Sequence, residues 1–379
     1  MKSYIAAIGT AVPNHRTAQS TIAAFMARVL KLNDAEKQRL YALYRASGIQ
    51  YRHSVISDYG ASDNFSFYPE TADLEPFPTI QQRMEVYQRE ALTLSYKSAK
   101  QCLQQLPDCS PDQITHLIFV SCTGMYAPGI DIELIHQLGL SYQVQRTAIN
   151  FMGCYAAFNA LKVADNIVQA NPEANVLMVC TELCTLHFQK GIDEDNLLAN
   201  ALFADGSSAA LVTGRKYENN LQLSMEQFYC DLVPEASHEM AWQIGNHGFE
   251  MKLSSYVPEV IKSGVHQLTQ NLLQQLSFSY DEESSVPELM EKPDFYAIHP
   301  GGKRILQVIE QALGMAKEDN RYAYQVLQQC GNMSSATLLF VLKALLQDLS
   351  VADNDKSILG LAFGPGLTLE SMLLRVSAL

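Results

Sequence analysis

No apolar run in the 379-residue sequence approaches the roughly 20 residues that a membrane-spanning helix needs. The opening stretch, MKSYIAAIGTAVPNHRT, lacks the apolar centre of a signal peptide and reads as a first strand and turn, so a cytoplasmic location is expected. Basic residues are scarce: 27 Lys and Arg against 40 Asp and Glu leave a formal net charge of −13. A nucleic-acid partner needs a basic face, so that class is disfavoured, whereas a phosphorylated ligand can still be held by a local basic patch. None of the eight cysteines, at 102, 109, 122, 154, 180, 184, 230 and 330, forms a Cys-x-x-Cys pair. Cys180 and Cys184 are followed by no His or Cys at finger-like spacing, so no metal site is expected and the thiols are read as reduced. What is present is ordinary for a soluble enzyme: 47% hydrophobic and 18% charged residues argue against disorder. The length exceeds that of one usual core and predicts a double-cored fold or two domains.

Apolar segments rich in β-branched residues predict buried strands at His116–Cys122, Val176–Glu182, Ser208–Thr213, Phe295–His299 and Ile358–Phe363. Helical patterns, clearest over Ala156–Gln169 and Ser335–Leu346, alternate with them, which predicts an α/β core with a largely parallel sheet. The segment 57–78 reads as a long irregular loop, and the acidic segment 277–293 as a join between a helix and the strand before His299.

An internal repeat is more informative. The strand HLIFVSC is followed by FMGCYAAFNALKVA, and the strand FYAIH by QQCGNMSSATLLFVLKAL. Ser121 to Cys154 and His299 to Asn332 are both 33 positions (154 − 121 and 332 − 299). Each half ends in a Phe-x-x-Gly element, FADG and FGPG. One half-fold used twice, residues 1–215 and 216–379, would bring Cys154, His299 and Asn332 together where strand ends meet.

The three residues suit one task. Cys154 follows Gly153 and opens an apolar helix, whose positive N-terminal end favours a thiolate. His299 ends a strand at Pro-Gly-Gly, and Asn332 occupies the equivalent turn of the second repeat. Each has a bland alternative: a core cysteine, a satisfied core histidine, a helix N-cap. Together they can load an acyl group on sulfur and stabilise the enolate left when a malonyl thioester loses carbon dioxide.

The sequence resembles the type III polyketide synthases, which include the chalcone synthases, along nearly its whole length. The resemblance is carried by SCTGMYAPGIDIELIHQLGL, FMGCYAAFNALKVA, VLMVCTEL, ALFADGSSAALV, AIHPGG, GNMSSATLLF and FGPGLTLE. It implies a thiolase-type αβαβα layered fold, a homodimer, acyl-CoA and malonyl-CoA as substrates rather than a bound cofactor, and a Cys-His-Asn triad on Cys154, His299 and Asn332. The family's gatekeeping Phe falls on Phe203, and its cavity-shaping turn on Phe363, Gly364, Pro365 and Gly366. Cavity threonines of the plant enzymes fall on Cys122, Cys184 and His187, and a cavity glycine on Trp242, the chain's one tryptophan. Met251 and Ser334 complete the implied substrate-binding set. The methionine that crosses the plant dimer falls on Ala127, so a bacterial-type enzyme is the closer likeness. Arg45, Arg52, Lys303 and Arg304 are candidates for the coenzyme A phosphates.

Rival readings share parts of this pattern. A biosynthetic thiolase needs a second cysteine near the last strand, which FGPG lacks. A hydroxymethylglutaryl synthase needs a Glu near Val120 and Ser121. The runner-up, a ketoacyl-carrier-protein synthase that initiates fatty-acid synthesis, has Gln-Ala-Asn where Pro-Gly-Gly follows His299. A non-catalytic acyl-binding subunit and a cysteine hydrolase complete the alternatives.

Overall fold

The computed structural model describes residues 2–217, 221–254, 256–278 and 292–378. In chain order the strands are β1 (Ser3–Ala11), β2 (His15–Ala18), β3 (Tyr51–Ser54), β4 (His116–Ser121), β5 (Gln145–Asn150), β6 (Asn175–Leu183), β7 (Asp205–Thr213), β8 (Gln222–Leu232), β9 (Met240–Gly245), β10 (Gly248–Leu253), β11 (Phe295–Ile298), β12 (Ser357–Gly364) and β13 (Thr368–Ser377). The helices are α1 (Gln19–Val29), α2 (Asp34–Ala46), α3 (Ile80–Leu103), α4 (Ile130–Leu138), α5 (Ala156–Ala170), α6 (Glu194–Leu202), α7 (Val257–Phe278), α8 (Lys303–Leu313), α9 (Arg321–Cys330) and α10 (Thr337–Asp348). All five strands expected from apolar runs are found, and both expected helices. A single 3-10 turn, Ser334–Ala336, precedes α10. The acidic segment 277–293 lies mostly outside the described residues.

Nine strands hydrogen-bond in the order β11-β12-β13-β8-β1-β7-β6-β4-β5. The repeat is visible in this order. β4 is parallel to β6, then β7 and β1 follow antiparallel. β11 is parallel to β12, then β13 and β8 follow antiparallel. The equal 33-residue spacings enclose different structure, however: α4 and β5 in the first half, α8 and α9 in the second. The division near residue 215 falls in the connection between β7 and β8.

Among the described residues the two half-sheets pair through three residue pairs of β1 and β8. Burial shows how they fold over one another. Side chains alternate across each strand. On β6, Leu177 and Val179 pack with α3 in one cluster, while Val176, Met178 and Cys180 face α5 and α10 in a second. On β12, Ile358 and Ala362 face that same second cluster, while Leu359, Leu361 and Phe363 pack with α7 and α8 in a third. The order of layers is therefore helices, half-sheet, α5 with α10, half-sheet, helices. That is the αβαβα architecture. Both repeats bury their second face on one shared pair of helices, and the loops entering those helices carry Cys154 and Asn332.

The loop 57–78 is irregular, as expected, and has one organising residue. The buried Asp58 carboxylate accepts from Ser66 N (2.7 Å), Ser66 Oγ (2.8 Å), Phe67 N (3.0 Å) and Tyr68 N (2.8 Å). Four donors to one carboxylate offset its removal from water. Among the described residues no helix is long and apolar enough to cross a membrane.

Candidate active site

Cys154 sits in a one-turn 3-10 segment, Gly153–Tyr155, between β5 and α5. Gly153 has φ +79°, and a Cβ there would overlap the Pro365 ring. Both facts require glycine, and the close approach sets the Phe363–Gly366 turn against the loop that carries Cys154. Gly364 is equally confined, since a Cβ would lie 2.6 Å from Tyr155 Cδ1. Gly364 and Gly366 shape this turn but do not line the cavity, unlike Phe363 and Pro365.

His299 follows β11 and extends its ladder, His299 N donating to Leu361 O at 2.8 Å. Its ring is 1% exposed, and neither ring nitrogen has a hydrogen-bond partner. Burial lowers its pKa to about 3, so the imidazole is neutral and carries one free N–H and one free lone pair. Asn332 is fixed by its backbone: Asn332 N donates to Leu202 O (3.0 Å) and Ala204 N to Asn332 O (2.8 Å), bracketing Phe203. Its Oδ1 accepts from Ser334 N (2.9 Å), and Nδ2 donates to Gly301 O (3.2 Å), leaving its second hydrogen for Cys154.

Cys154, His299 and Asn332 line one cavity with about 630 Å³ of empty volume. Cys122, Cys184, Phe203, Trp242, Met251, Ser334, Phe363 and Pro365 line it too. The expected low thiol pKa is not what the site provides. Burial pushes Cys154 up to about 12; hydrogen bonds from Ser334 and Asn332 oppose the rise, and the Glu182 charge adds to it. Removal from water outweighs the helix N-terminus here. The thiols open to solvent are Cys230 and, partly, Cys330.

Two residues of the expected set fall elsewhere. His187 lies outside the reaction cavity, and both its nitrogens are engaged. Nδ1 accepts from Phe249 N (2.9 Å), so Nε2 carries the hydrogen and donates to Thr123 O (2.7 Å). The ring stacks on Phe249 at 4.2 Å and meets Trp242 edge-on at 5.7 Å. His187 thus pins the β9–β10 hairpin. Arg52 is 4% exposed; its Nε donates to Gln19 Oε1 (2.9 Å) and its Nη1 to Phe203 O (2.7 Å). Buried behind Phe203, it cannot meet phosphates at the surface. Lys303 and Arg304 do line a surface hollow, which shares Leu253, Gly301 and Ile305 with the reaction cavity. Arg45 is exposed on α2 beside Ala46 and Ser47 of the same hollow.

Trp242 and Met251 are cross-strand partners on the hairpin, and Trp242 Nε1 donates to Cys122 O at 2.6 Å. The indole therefore faces the cavity. Trp242→Gly should enlarge it and admit longer starters, at a stability cost of up to about 4 kcal/mol. Product masses across a series of acyl-CoA lengths, with a melting curve for each protein, check this; unchanged masses from a folded variant would remove Trp242 as a limit on depth.

Several site residues carry no signal in the sequence. Met240, Leu253 and Ile305 line the cavity with side chains that read as ordinary core. Glu182 could have been noticed, as a carboxylate inside the apolar strand VLMVCTEL. It is fully buried, accepting from Cys122 N (3.0 Å), Thr123 Oγ1 (2.8 Å) and Ser335 Oγ. Burial raises it to about 7. It ties the end of β4 to the turn before α10, beneath the cavity floor. Among the described residues no His, Cys, Asp or Glu side chains cluster as metal ligands would.

Known proteins resemble this chain in sequence and fold. A family model described as "Chalcone and stilbene synthases, N-terminal domain" matches residues 1–215, and its C-terminal counterpart matches residues 220–377. The chain is 30% identical over 376 residues to the alpha-pyrone synthesis polyketide synthase-like Pks18 of Mycobacterium tuberculosis, covering 98% of this chain and 91% of that protein. It is 30% identical to type III polyketide synthase C of Arabidopsis thaliana, covering 99% and 95%. The crystal structure of the C-terminal type III polyketide synthase domain of Steely1 from Dictyostelium superimposes with a TM-score of 0.89 at 27% identity, covering 99% of each chain. So does that of PKS-I from the brown alga Ectocarpus siliculosus, with the same TM-score and identity, covering 99% of this chain and 98% of that one.

Proposed function

The chain belongs to the chalcone and stilbene synthase family of type III polyketide synthases, and we propose that it loads an acyl-CoA starter on Cys154 and extends it with malonyl-CoA. Family membership makes it a condensing acyltransferase. The observation that carries the finer reading is the shared cavity: a thiol, a neutral imidazole with both nitrogens unpaired and an Asn whose side chain reaches the thiol line it together, and a hollow with two basic residues adjoins it.

Cys154 Sγ attacks the starter thioester carbonyl. The carbon–sulfur bond to coenzyme A breaks, and the departing thiolate takes up the proton that the Cys154 thiol gives to His299. Malonyl-CoA then loses carbon dioxide. The electron pair of the broken carbon–carbon bond passes to the thioester enolate, whose oxygen accepts from His299 N–H and Asn332 Nδ2. The enolate carbon attacks the acyl-Cys154 carbonyl and the Cys154 thiolate leaves. Phe203 takes the family's gatekeeping place at the cavity wall, and Lys303, Arg304 and Arg45, around the adjoining hollow, meet the coenzyme A phosphates. Ser334, Cys122, Cys184, Trp242, Met251 and the Phe363–Pro365 turn shape the chain-holding space. On this reading coenzyme A thioesters are substrates, no cofactor takes part, and the cyclised product is an alkylpyrone, an alkylresorcinol or a related phenolic. Incubation with malonyl-CoA and a series of acyl-CoA starters, read by product mass, tests it. Thioester hydrolysis without malonyl incorporation would overturn it.

The role of His299 predicts a pH signature. Cys154 alone is pushed up, so without a proton acceptor its thiolate fraction grows about tenfold per pH unit below its pKa. In His299→Ala, acyl loading should climb in this way from pH 7 to 9, while the wild type levels off at lower pH. Identical profiles would remove His299 as the acceptor. We further propose a cytoplasmic homodimer. β5 is an edge strand with mostly exposed side chains, and Tyr142 and Met125 nearby are 81% and 44% exposed. Unpaired edges and exposed apolar groups favour association. Sedimentation at micromolar concentration should show twice the chain mass.

A further inference from the structure

We propose that Glu182 is a positioning residue of the condensation: one buried carboxylate, at the end of β6, sets Asn332 of the second repeat against Cys154 of the first. This deepens the proposed reaction and rests on it. The two loops that meet in the cavity are built alike. Gly153–Tyr155 leads into α5 and Ser334–Ala336 leads into α10, each by a single 3-10 turn. Gly153 and Ser334 open those turns in the left-handed region, at φ +79° and +47°. Cys154 and Ser335 are therefore counterparts, each two residues before its helix. The first presents a thiol to the cavity, and the second gives its hydroxyl to Glu182.

The carboxylate closes a ring of contacts. Its Oε1 accepts from Ser335 Oγ, and its Oε2 from Cys122 N (3.0 Å) and Thr123 Oγ1 (2.8 Å). From Cys122 the ring runs to the nucleophile, because Cys122 Sγ accepts from Gly153 N (3.0 Å). From Ser335 it runs to Asn332, whose Oδ1 accepts from Ser334 N (2.9 Å) and whose side chain reaches the Cys154 thiol. A serine in the left-handed region keeps that backbone only where its surroundings over-determine it. Thr337 Oγ1, donating to Ser334 O (2.9 Å), is one such constraint, and the Ser335–Glu182 tie beside it is another. The ionisable groups that feel the Glu182 charge are Tyr87 on α3 and Cys122, Cys154, Cys180 and Cys184, none of them a cation. A carboxylate buried without a countercharge lowers stability. Here it gathers three donors from both repeats at one point, which a shorter or apolar side chain cannot do.

Ser335→Ala cuts the tie on the Asn332 side alone. It should slow decarboxylation of malonyl-CoA, measured without a starter, by about tenfold, a part of what loss of the oxyanion donor itself costs. Acylation of Cys154, read by intact mass, should slow far less. In an Asn332→Asp background the same change should add little, because residues that act through one another are non-additive. Glu182→Gln keeps the ring when the Ser335 hydroxyl turns to accept from the amide, whereas Glu182→Met leaves all three donors unpaired. The Gln variant should therefore decarboxylate about fivefold faster than the Met variant or more. Equal slowing of loading and decarboxylation by Ser335→Ala, an unchanged decarboxylation rate, or the full tenfold loss repeated in the Asn332→Asp background would overturn the proposal. So would equal rates in folded Gln and Met variants. No decarboxylation by the wild type would instead overturn the underlying reaction, and the role of Glu182 with it.

Discussion

Cys154→Ala should reduce polyketide formation by a factor on the order of 10⁶, as loss of a covalent nucleophile does elsewhere, without lowering the melting temperature. The thiol makes few demands on the fold: it is a small group on a turn held by Gly153, Pro365 and Cys122, whose sulfur accepts from Gly153 N at 3.0 Å. Intact mass after incubation with acyl-CoA should show an adduct on the wild type and none on the variant. Decarboxylation of malonyl-CoA alone should persist, because that step draws on His299 and Asn332. An acyl adduct retained by the variant would move the nucleophile elsewhere, with Cys122 and Cys184 the neighbouring thiols in the same cavity.

Loss of the Asn332 carboxamide nitrogen should slow malonyl-CoA decarboxylation by about 10²–10³, the usual effect of removing one oxyanion donor, and slow acylation of Cys154 far less. Asn332→Asp is the sharper variant. It keeps an oxygen to accept from Ser334 N, and so keeps the turn, but lacks the donor that faces the enolate. It also places a carboxylate beside developing negative charge. Equal slowing of loading and decarboxylation would show that Asn332 acts through Gly301 and Ser334 as a structural tie.

The electrostatics of the triad were the part of the chemistry least accessible from residue types. A cysteine opening a helix predicts a lowered pKa when the helix end alone is considered. In the fold the same sulfur is closed in by Phe203, Trp242, Met251 and Phe363, and desolvation dominates. His187 and Arg52 teach the same lesson. Both occupy positions where the family pattern suggests a ligand contact, yet neighbours take up both ring nitrogens of His187 and two of the three guanidinium nitrogens of Arg52. Those neighbours, Thr123 O and Phe249 N for one, Gln19 and Phe203 O for the other, are distant in sequence.

The alternation of apolar strands and helices, the doubled half-fold and the meeting of Cys154, His299 and Asn332 were determined by the sequence itself. Side-chain periodicity and strand-ending turns are local properties, and two equal halves repeat them. The tertiary structure alone decided which face of each repeat is shared, because burial of α5 and α10 between two half-sheets is a property of both halves together. It alone decided that Glu182 lies beneath the cavity and that Trp242 points into it. The cavity wall facing Cys154 is built from the ends of β6, α6 and the β9–β10 hairpin, and only long-range packing brings those three together.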